Sequence, residues 1–234
     1  MKSSSKSLEV LYEDNHLIAV NKRAGDIVQG DKTGDQPLSE IVKDYIAEKY
    51  NKPGKAFIGV VHRLDRPTTG AVLFARTSKA LERMNRLLRE RQVDKTYWAL
   101  VEGHPKQEEA TLVHHLKKNS KNNKSTAFPR AGSDTKRAVL HYAVLAKLDL
   151  YALLEITLET GRHHQIRCQL AAIGHPIRGD LKYGFKRPNK DGGIHLHARK
   201  MSFVHPVKKE RIEIVAPLPD DSLWQLCETS MASG

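Results

Sequence analysis

Cysteine is nearly missing from this chain: Cys168 and Cys227 are the only two among 234 residues. Two thiols without C-x-x-C spacing exclude a disulfide framework and the usual zinc and redox motifs, and they point to a reducing compartment. Long apolar runs are missing as well. No stretch approaches the length needed to span a bilayer, and the polar start from Met1 to Val10 lacks the apolar segment of a secretory signal. The expectation is a cytoplasmic protein with no membrane partner. Neither an internal repeat nor a long linker interrupts the chain. Acidic residues are in deficit, 27 Asp and Glu against 39 Lys and Arg, for a formal net charge of +12. A cationic surplus spread along the whole chain suits a partner that presents many phosphates, although charge alone also fits membranes and acidic proteins.

What is present is enough apolar material, 39% of residues, to bury a core. Residues 1–7 read as a disordered polar tail and residues 8–234 as one catalytic domain, a monomer by default because no exposed apolar helix stands out. Leu8 to Lys22 alternates as a strand pair, with His16–Val20 the clearer half, and Asn21 to Gly34 reads as a loop. Leu38, Ile41, Val42, Tyr45 and Ile46 recur at helical spacing after Pro37. A short apolar strand, Gly70 to Arg76, feeds an amphipathic helix through Leu81, Met84, Leu87 and Leu88, capped by Thr77 or Ser78. Further strands are expected at Lys95–Glu102, Ala138–Ala146, Tyr151–Glu159 and Arg211–Val215, and a short helix at His164–Ile173 ending on Gly174. Lys117 to Ser125, polar and basic, reads as a loop that either stays solvated or grips phosphate.

Two segments carry chemistry. In His62-Arg63-Leu64-Asp65-Arg66-Pro67-Thr68-Thr69-Gly70 a carboxylate stands between two arginines, which favours its ionised, nucleophilic form; the plain alternative is an ion pair that holds a turn. In Thr160-Gly161-Arg162-His163-His164-Gln165-Ile166-Arg167 a helix start and Arg162 are suited to phosphate, and Arg167, one turn into an apolar helix, requires a carboxylate. In Lys95-Thr96-Tyr97-Trp98, Lys95 and Tyr97 share one strand face. The histidines, above all the pair His195 and His197, raise the question of metal, but no Cys, Asp or Glu cluster supplies the other ligands, so no metal is expected.

In this order, these segments resemble the ribosomal and transfer RNA pseudouridine synthases, whose signature is His-Arg-Leu-Asp followed by Thr, Ser or Thr, and Gly. Asn21-Lys22-Arg23-Ala24-Gly25 is similar to the family's upstream loop, Lys95-Thr96-Tyr97 to its middle strand, and Gly174 through Asp180 and Leu196 through Pro206 to its later segments. The resemblance runs from about residue 9 to 216. It implies an α+β fold with a mixed, mostly antiparallel sheet, flanking helices and a central catalytic cleft. It also implies that the chain isomerises uridine in structured RNA to pseudouridine without a cofactor. By resemblance the catalytic group is Asp65 as nucleophile, Arg167 as its partner and Tyr97 at the uracil; the substrate contacts are Lys22, His62, Arg63, Lys95, Arg162, His164, Gln165 and Leu170. Arg63 is the side chain that enters the space left by the extruded base. Departures from the family pattern are Arg23 for Pro, His163 for Thr or Ser, Thr69 for Ser and Gln169 for His, and no separate N-terminal RNA-binding domain is expected. A noncatalytic RNA-binding protein and a nucleoside or glycoside hydrolase are the rival readings; the hydrolase lacks a visible second carboxylate.

Overall fold

The computed structural model describes residues 2–51, 53–54 and 56–232. Met1, at the start of the expected tail, and Ser233 and Gly234, at the end of the expected domain, lie outside them. Expected as one domain, the chain divides into two compact units. The first runs to Lys95 and resumes over Ala198–Leu218; the second takes Thr96–His197 and the segment from Pro219.

In the first unit, β1 (Val10–Glu13) pairs with β2 (Leu17–Lys22) and β2 with β4 (Thr69–Ala75), both antiparallel. β3 (Gly59–Val60) pairs with Phe74 and Ala75 at the end of β4, and β10 (Leu196–Val204), which neighbours β4, pairs with β11 (Arg211–Val215). The side-chain period of two divides the core between two helices. Leu17, Ala19, Ala71, Leu73 and Ala75 face Ala80 and Met84 of α2 (Ser78–Arg89), while Ile18, Val20, Val72 and Phe74 face Leu38, Ile41, Val42 and Ile46 of α1 (Leu38–Lys49). Every residue of β4 is therefore buried, and its sequence reads as a continuous apolar run instead of an alternation. Each fully buried large side chain here contributes about 2 kcal/mol. Thr77 is the cap of α2, its Oγ1 accepting from Ala80 N–H at 3.1 Å.

The expected disordered tail is tied down in residues 2–7. Asp26, 4% exposed, accepts from the Ser3 amide at 3.0 Å and the Ser3 hydroxyl at 2.7 Å, and Ser5–Ser7 forms a 3-10 turn. A carboxylate buried in the neighbouring loop needs donors, and the polar tail supplies them.

In the second unit, β5 (Val93–Glu102) from Thr96 onward, β9 (Tyr151–Leu158), β8 (Lys136–Lys147), β6 (Glu109–Asn119) and β7 (Lys124–Phe128) pair antiparallel in that spatial order. Together with α3 (Gln165–Ala172) and α4 (Ser222–Ala232), this makes the α+β, mixed and mostly antiparallel architecture that was expected. α3 ends in a Schellman motif: Gly174 N–H donates to Ala171 O and His175 N–H to Leu170 O, with Gly174 at φ +87°.

The stretch expected as a loop over Lys117–Ser125 is instead a hairpin, with Lys117 opposite Thr126, Lys118 opposite Ser125 and Asn119 opposite Lys124. The ladder is made by backbone groups, and apart from the buried Ser125 and half-buried Lys124 the paired residues are exposed, so no apolar side chains are needed to form it. β3, β6, β7 and α4 have no counterpart in the sequence expectations.

Candidate active site

Asp65 stands just before β4, where Thr68 N–H donates to the Asp65 carbonyl at 3.0 Å and closes a turn centred on Arg66 and Pro67. Lys22, at the end of β2 and 1% exposed, lies against this turn. Its Nζ donates to Thr68 O at 2.7 Å, Arg66 O at 2.9 Å and Arg23 O at 3.0 Å. Those bonds use all the protons of an ammonium group. Burial pushes the Lys22 pKa down to about 7, while the charges of Asp26 and Asp65 pull it up. Gly25 N–H also donates to Arg66 O at 3.0 Å, which stitches the Asn21–Gly25 loop to the Asp65 turn. Lys22, expected as a substrate contact, places its three donors on these backbone carbonyls and so ties the two loops together.

The two arginines beside Asp65 differ. Arg66 turns to Asp35 at 2.8 Å, Asp31 at 3.7 Å and the Thr33 hydroxyl at 2.7 Å. Arg63 is exposed and makes no side-chain hydrogen bond or ion pair among the described residues. His62 turns back to the sheet: Leu73 N–H, just before the residues of β4 paired with β3, donates to its Nε2 at 3.1 Å. Burial, with the charge of Lys95 adding to it, pushes the His62 pKa down to about 3, so the ring is neutral and can accept. Burial lowers the pKa of Lys95 as well. Gly70 follows at φ +111°, where a Cβ would stand 2.4 Å from Ala198 O; only glycine lets β4 and β10 approach this closely.

In the second unit α3 presents Arg167, 5% exposed, whose Nε and Nη2 donate to the two oxygens of Asp180 at 2.7 and 2.9 Å. Asp180 is itself 1% exposed, so this buried pair is bidentate and its charges are matched. Arg167 Cζ and Lys124 Nζ lie 5.1 and 5.2 Å from the centre of the Tyr183 ring. The Tyr183 hydroxyl accepts from Ser125 N–H at 2.8 Å and meets His164 Nδ1 at 2.9 Å, and burial pushes its pKa up to about 12. His164 holds φ +52° at the cap of α3 and stacks on His163 at 3.8 Å between ring centres. His163 in turn reaches the Ser125 hydroxyl at 2.9 Å and Asn123 at 3.0 Å.

Gln165 braces the same turn. Its Oε1 accepts from the Thr160 hydroxyl at 2.8 Å and Arg162 N–H at 2.9 Å, and its Nε2 donates to Val139 O at 3.0 Å. Arg162 is exposed, with Nε donating to Arg137 O at 3.1 Å. Tyr97, 8% exposed, stands opposite Ile156 of β9, and Leu170 is fully buried in α3.

Comparison with known proteins gives the family. A sequence model of the RNA pseudouridylate synthase family matches residues 16–172, from β2 to the end of α3. The chain belongs to the RNA pseudouridylate synthase family. It is 34% identical to an uncharacterized RNA pseudouridine synthase of Synechocystis over 91% of its own length and 66% of that protein's. It is 31% identical to the tRNA pseudouridine synthase C of Vibrio cholerae, covering 93% of each chain. The structure of human RNA pseudouridylate synthase domain containing 4 has the same fold, with TM-score 0.79 at 24% identity over 97% of this chain and 95% of that one.

The expected site residues of this pseudouridine synthase thus fall into two sets. The first unit holds Lys22, His62, Arg63, Asp65 and Lys95; the second holds Tyr97, Arg162, His164, Gln165, Arg167 and Leu170. Sequence reasoning passed over the residues that set the second group in place. Asp180 lies in the segment noted for its resemblance to the family but was given no role, although it is a lone acid in a basic stretch. Tyr183 and Ser125 carry no signal, since their value comes from meeting across 58 residues of sequence. His195 and His197 pack on Trp224 at 5.2 and 6.2 Å, and His195 is engaged by Asn189 at 2.9 Å and Asp221 at 3.0 Å. Among the described residues no group of three or more His, Cys, Asp or Glu side chains converges as a metal site would require.

Proposed function

We propose that this chain isomerises specific uridines in structured ribosomal or transfer RNA to pseudouridine, with Asp65 as the nucleophile. The observation that carries the reading is the Asp65 turn itself, just before a fully buried strand, whose Arg66 and Thr68 carbonyls share one buried ammonium with the carbonyl of Arg23. Such rigidity is what positioning a reacting group demands. The transfer RNA enzyme of Vibrio, related along nearly the whole chain, supports the substrate class.

In the reaction, the bond from uracil N1 to ribose C1′ breaks, the base turns within the site, a bond from C5 to C1′ forms, the C5 proton leaves and N1 gains one. Nothing is oxidised or lost, so no cofactor is called for. Asp65 either attacks C1′ or assists deprotonation of the ribose. Tyr97, or a water beside it, removes the C5 proton. A stacked uracil is out of reach, so the nucleotide is flipped at a cost of a few kcal/mol, and the exposed Arg63 fills the gap it leaves. Arg162, with the lysines of the β6–β7 hairpin, holds phosphates. The enzyme works in the cytoplasm as a monomer; among the described residues no helix is long and apolar enough to cross a membrane.

The test is tritium release from RNA labelled at uracil C5, isolated from cells that lack this protein. Asp65→Asn is expected to bind that RNA and to lose turnover by at least about 1000-fold, in line with loss of a covalent nucleophile. Retained turnover defeats the assignment, and free uracil as product replaces it with a hydrolase. The role of Arg167 as partner of the nucleophile is tested by a double-mutant cycle with Asp65→Asn and Arg167→Gln, in which additive losses of affinity for labelled RNA refute the pairing.

A further inference from the structure

Resting on the reading of this chain as an RNA enzyme, we infer that the groove between α2 and the β10–β11 turn is a second RNA-backbone site, distinct from the segment that carries Asp65. The groove encloses about 610 Å³. Arg83 and Arg86 enter it from α2, and Lys209 enters from the turn that joins β10 to β11. Basic residues in the last turn of a helix have an ordinary explanation, the helix dipole, and that covers Arg86. It does not cover Arg83, which lies in mid-helix, or Lys209, which comes from a segment more than a hundred residues away in sequence.

None of the three cations makes an ion pair or side-chain hydrogen bond among the described residues. The contrast with Lys208 is direct. Its Nζ lies 3.1 Å from Asp14 and 3.6 Å from Glu210, so it is spent on internal pairing, whereas Lys209 is left for the groove. The turn that carries both is held by hydrogen bonds to His205. His205, fully buried, accepts from Val207 N–H at 3.1 Å and Lys208 N–H at 2.9 Å through Nδ1, and Lys209 adopts φ +62° with its amide donating to His205 O at 3.0 Å. A non-glycine residue held in the left-handed region by its neighbours is a mark of a pre-set side-chain direction.

The rest of the lining narrows the ligand. Leu87, Val204 and Pro206 give an apolar floor, and Val204 is 48% exposed. Gln92 adds a group that donates and accepts. Cations around an apolar floor beside one amide match a ribose-phosphate chain, in which charged phosphates alternate with sugar faces and 2′-hydroxyls. Glu90, also in the lining, opposes phosphate. An acidic peptide would meet the same cations, but it has no use for the apolar floor at every step along its length.

Phosphate contacts are independent of sequence, so a fluorescein-labelled RNA stem-loop of arbitrary sequence serves as the probe, followed by anisotropy between about 50 and 200 mM salt. Arg83→Gln, Arg86→Gln and Lys209→Gln combined are expected to weaken binding by about 10-fold or more and to reduce the log–log salt slope by about 2. Lys6→Gln, Lys32→Gln and Lys106→Gln combined remove the same charge from exposed positions elsewhere and are expected to weaken binding by less than about 3-fold. Arg86→Gln with Lys209→Gln, both fully surface positions, repeats the test should the half-buried Arg83 affect folding. Glu90→Gln is expected to tighten binding. Equal losses in the two triple variants, or wild-type affinity in the groove variant, overturn the site; so does polyglutamate displacing nothing but binding the groove itself. Tritium release by the wild-type protein is measured separately, so that absence of isomerisation defeats the enzyme reading and leaves the affinity comparison standing.

Discussion

At the scale of single residues, an ammonium buried beneath a turn is tolerable only when its protons are all engaged, and Lys22 meets that condition with three carbonyls. Lys22→Met should leave those carbonyls without a donor and destabilise the protein by about 2 kcal/mol, part of the loss being offset because the lysine's own desolvation disappears. Urea unfolding measures this, and an unchanged midpoint refutes the role. The residue also has a pH signature of definite sign. Its folded pKa, about 7, lies below its ordinary 10.5, so between these values the unfolded chain holds a proton that the folded chain has released, and stability contributed by Lys22 rises with pH across that window. Lys22→Met removes that slope. The Asn21-Lys22-Arg23-Ala24-Gly25 segment announced itself in the sequence, but as a substrate contact. What it touches depended on β2 delivering Lys22 beneath a turn 44 residues later.

At the scale of elements, β4 follows the proposed nucleophile and α3 carries its proposed partner, and each is held by a neighbour that the sequence did not nominate. For β4 the neighbour is β10. Gly70→Ala would force a methyl group to 2.4 Å from Ala198 O at a backbone angle that side chains disfavour, and a loss of at least about 2 kcal/mol, or failure to accumulate folded protein, is expected. A fully stable variant in thermal melts would show that the strands separate easily. For α3 the neighbour is the Tyr183 hydroxyl, which links Ser125 of β7 to His164. Tyr183→Phe keeps the ring between Lys124 and Arg167 but orphans a buried amide, so about 1–3 kcal/mol is expected to be lost in urea unfolding. The period-3.6 pattern of α2 and the Gly174 stop of α3 were legible because caps and periodicity are local. The β6–β7 hairpin was not, because a solvent-exposed ribbon is specified by its partner strand, and its lysines look the same in a loop.

At the scale of the whole molecule, loss of solvent works against protonation of several histidines. Burial lowers the pKa of His62 to about 3 and also lowers those of His195 and His205, where Asp221 and Asp14 respectively pull the other way. As pH falls through about 6.5 the unfolded chain takes up protons that the folded chain refuses, so stability drops toward acid; His62 alone accounts for up to about 2 kcal/mol between pH 7.5 and 5. His62→Gln, whose amide oxygen can still accept from Leu73 N–H, is expected to flatten that loss. Parallel urea titrations of the two proteins over the range decide it, and identical slopes rule out His62 as the source. By itself the sequence determined the family and the basic character of the chain, and it nominated the carboxylate proposed to react, because His62 to Gly70 and Thr160 to Arg167 are contiguous and their chemistry is written in order. Only the tertiary structure decided which charges are spent inside and which remain for a ligand: Lys22, Arg66, Lys208 and Arg167 have internal partners, whereas Arg63, Arg83 and Lys209 point elsewhere. Pairing of that kind depends on distances of a few ångströms between residues far apart in the chain, and electrostatic energy falls off with distance in space, not in sequence.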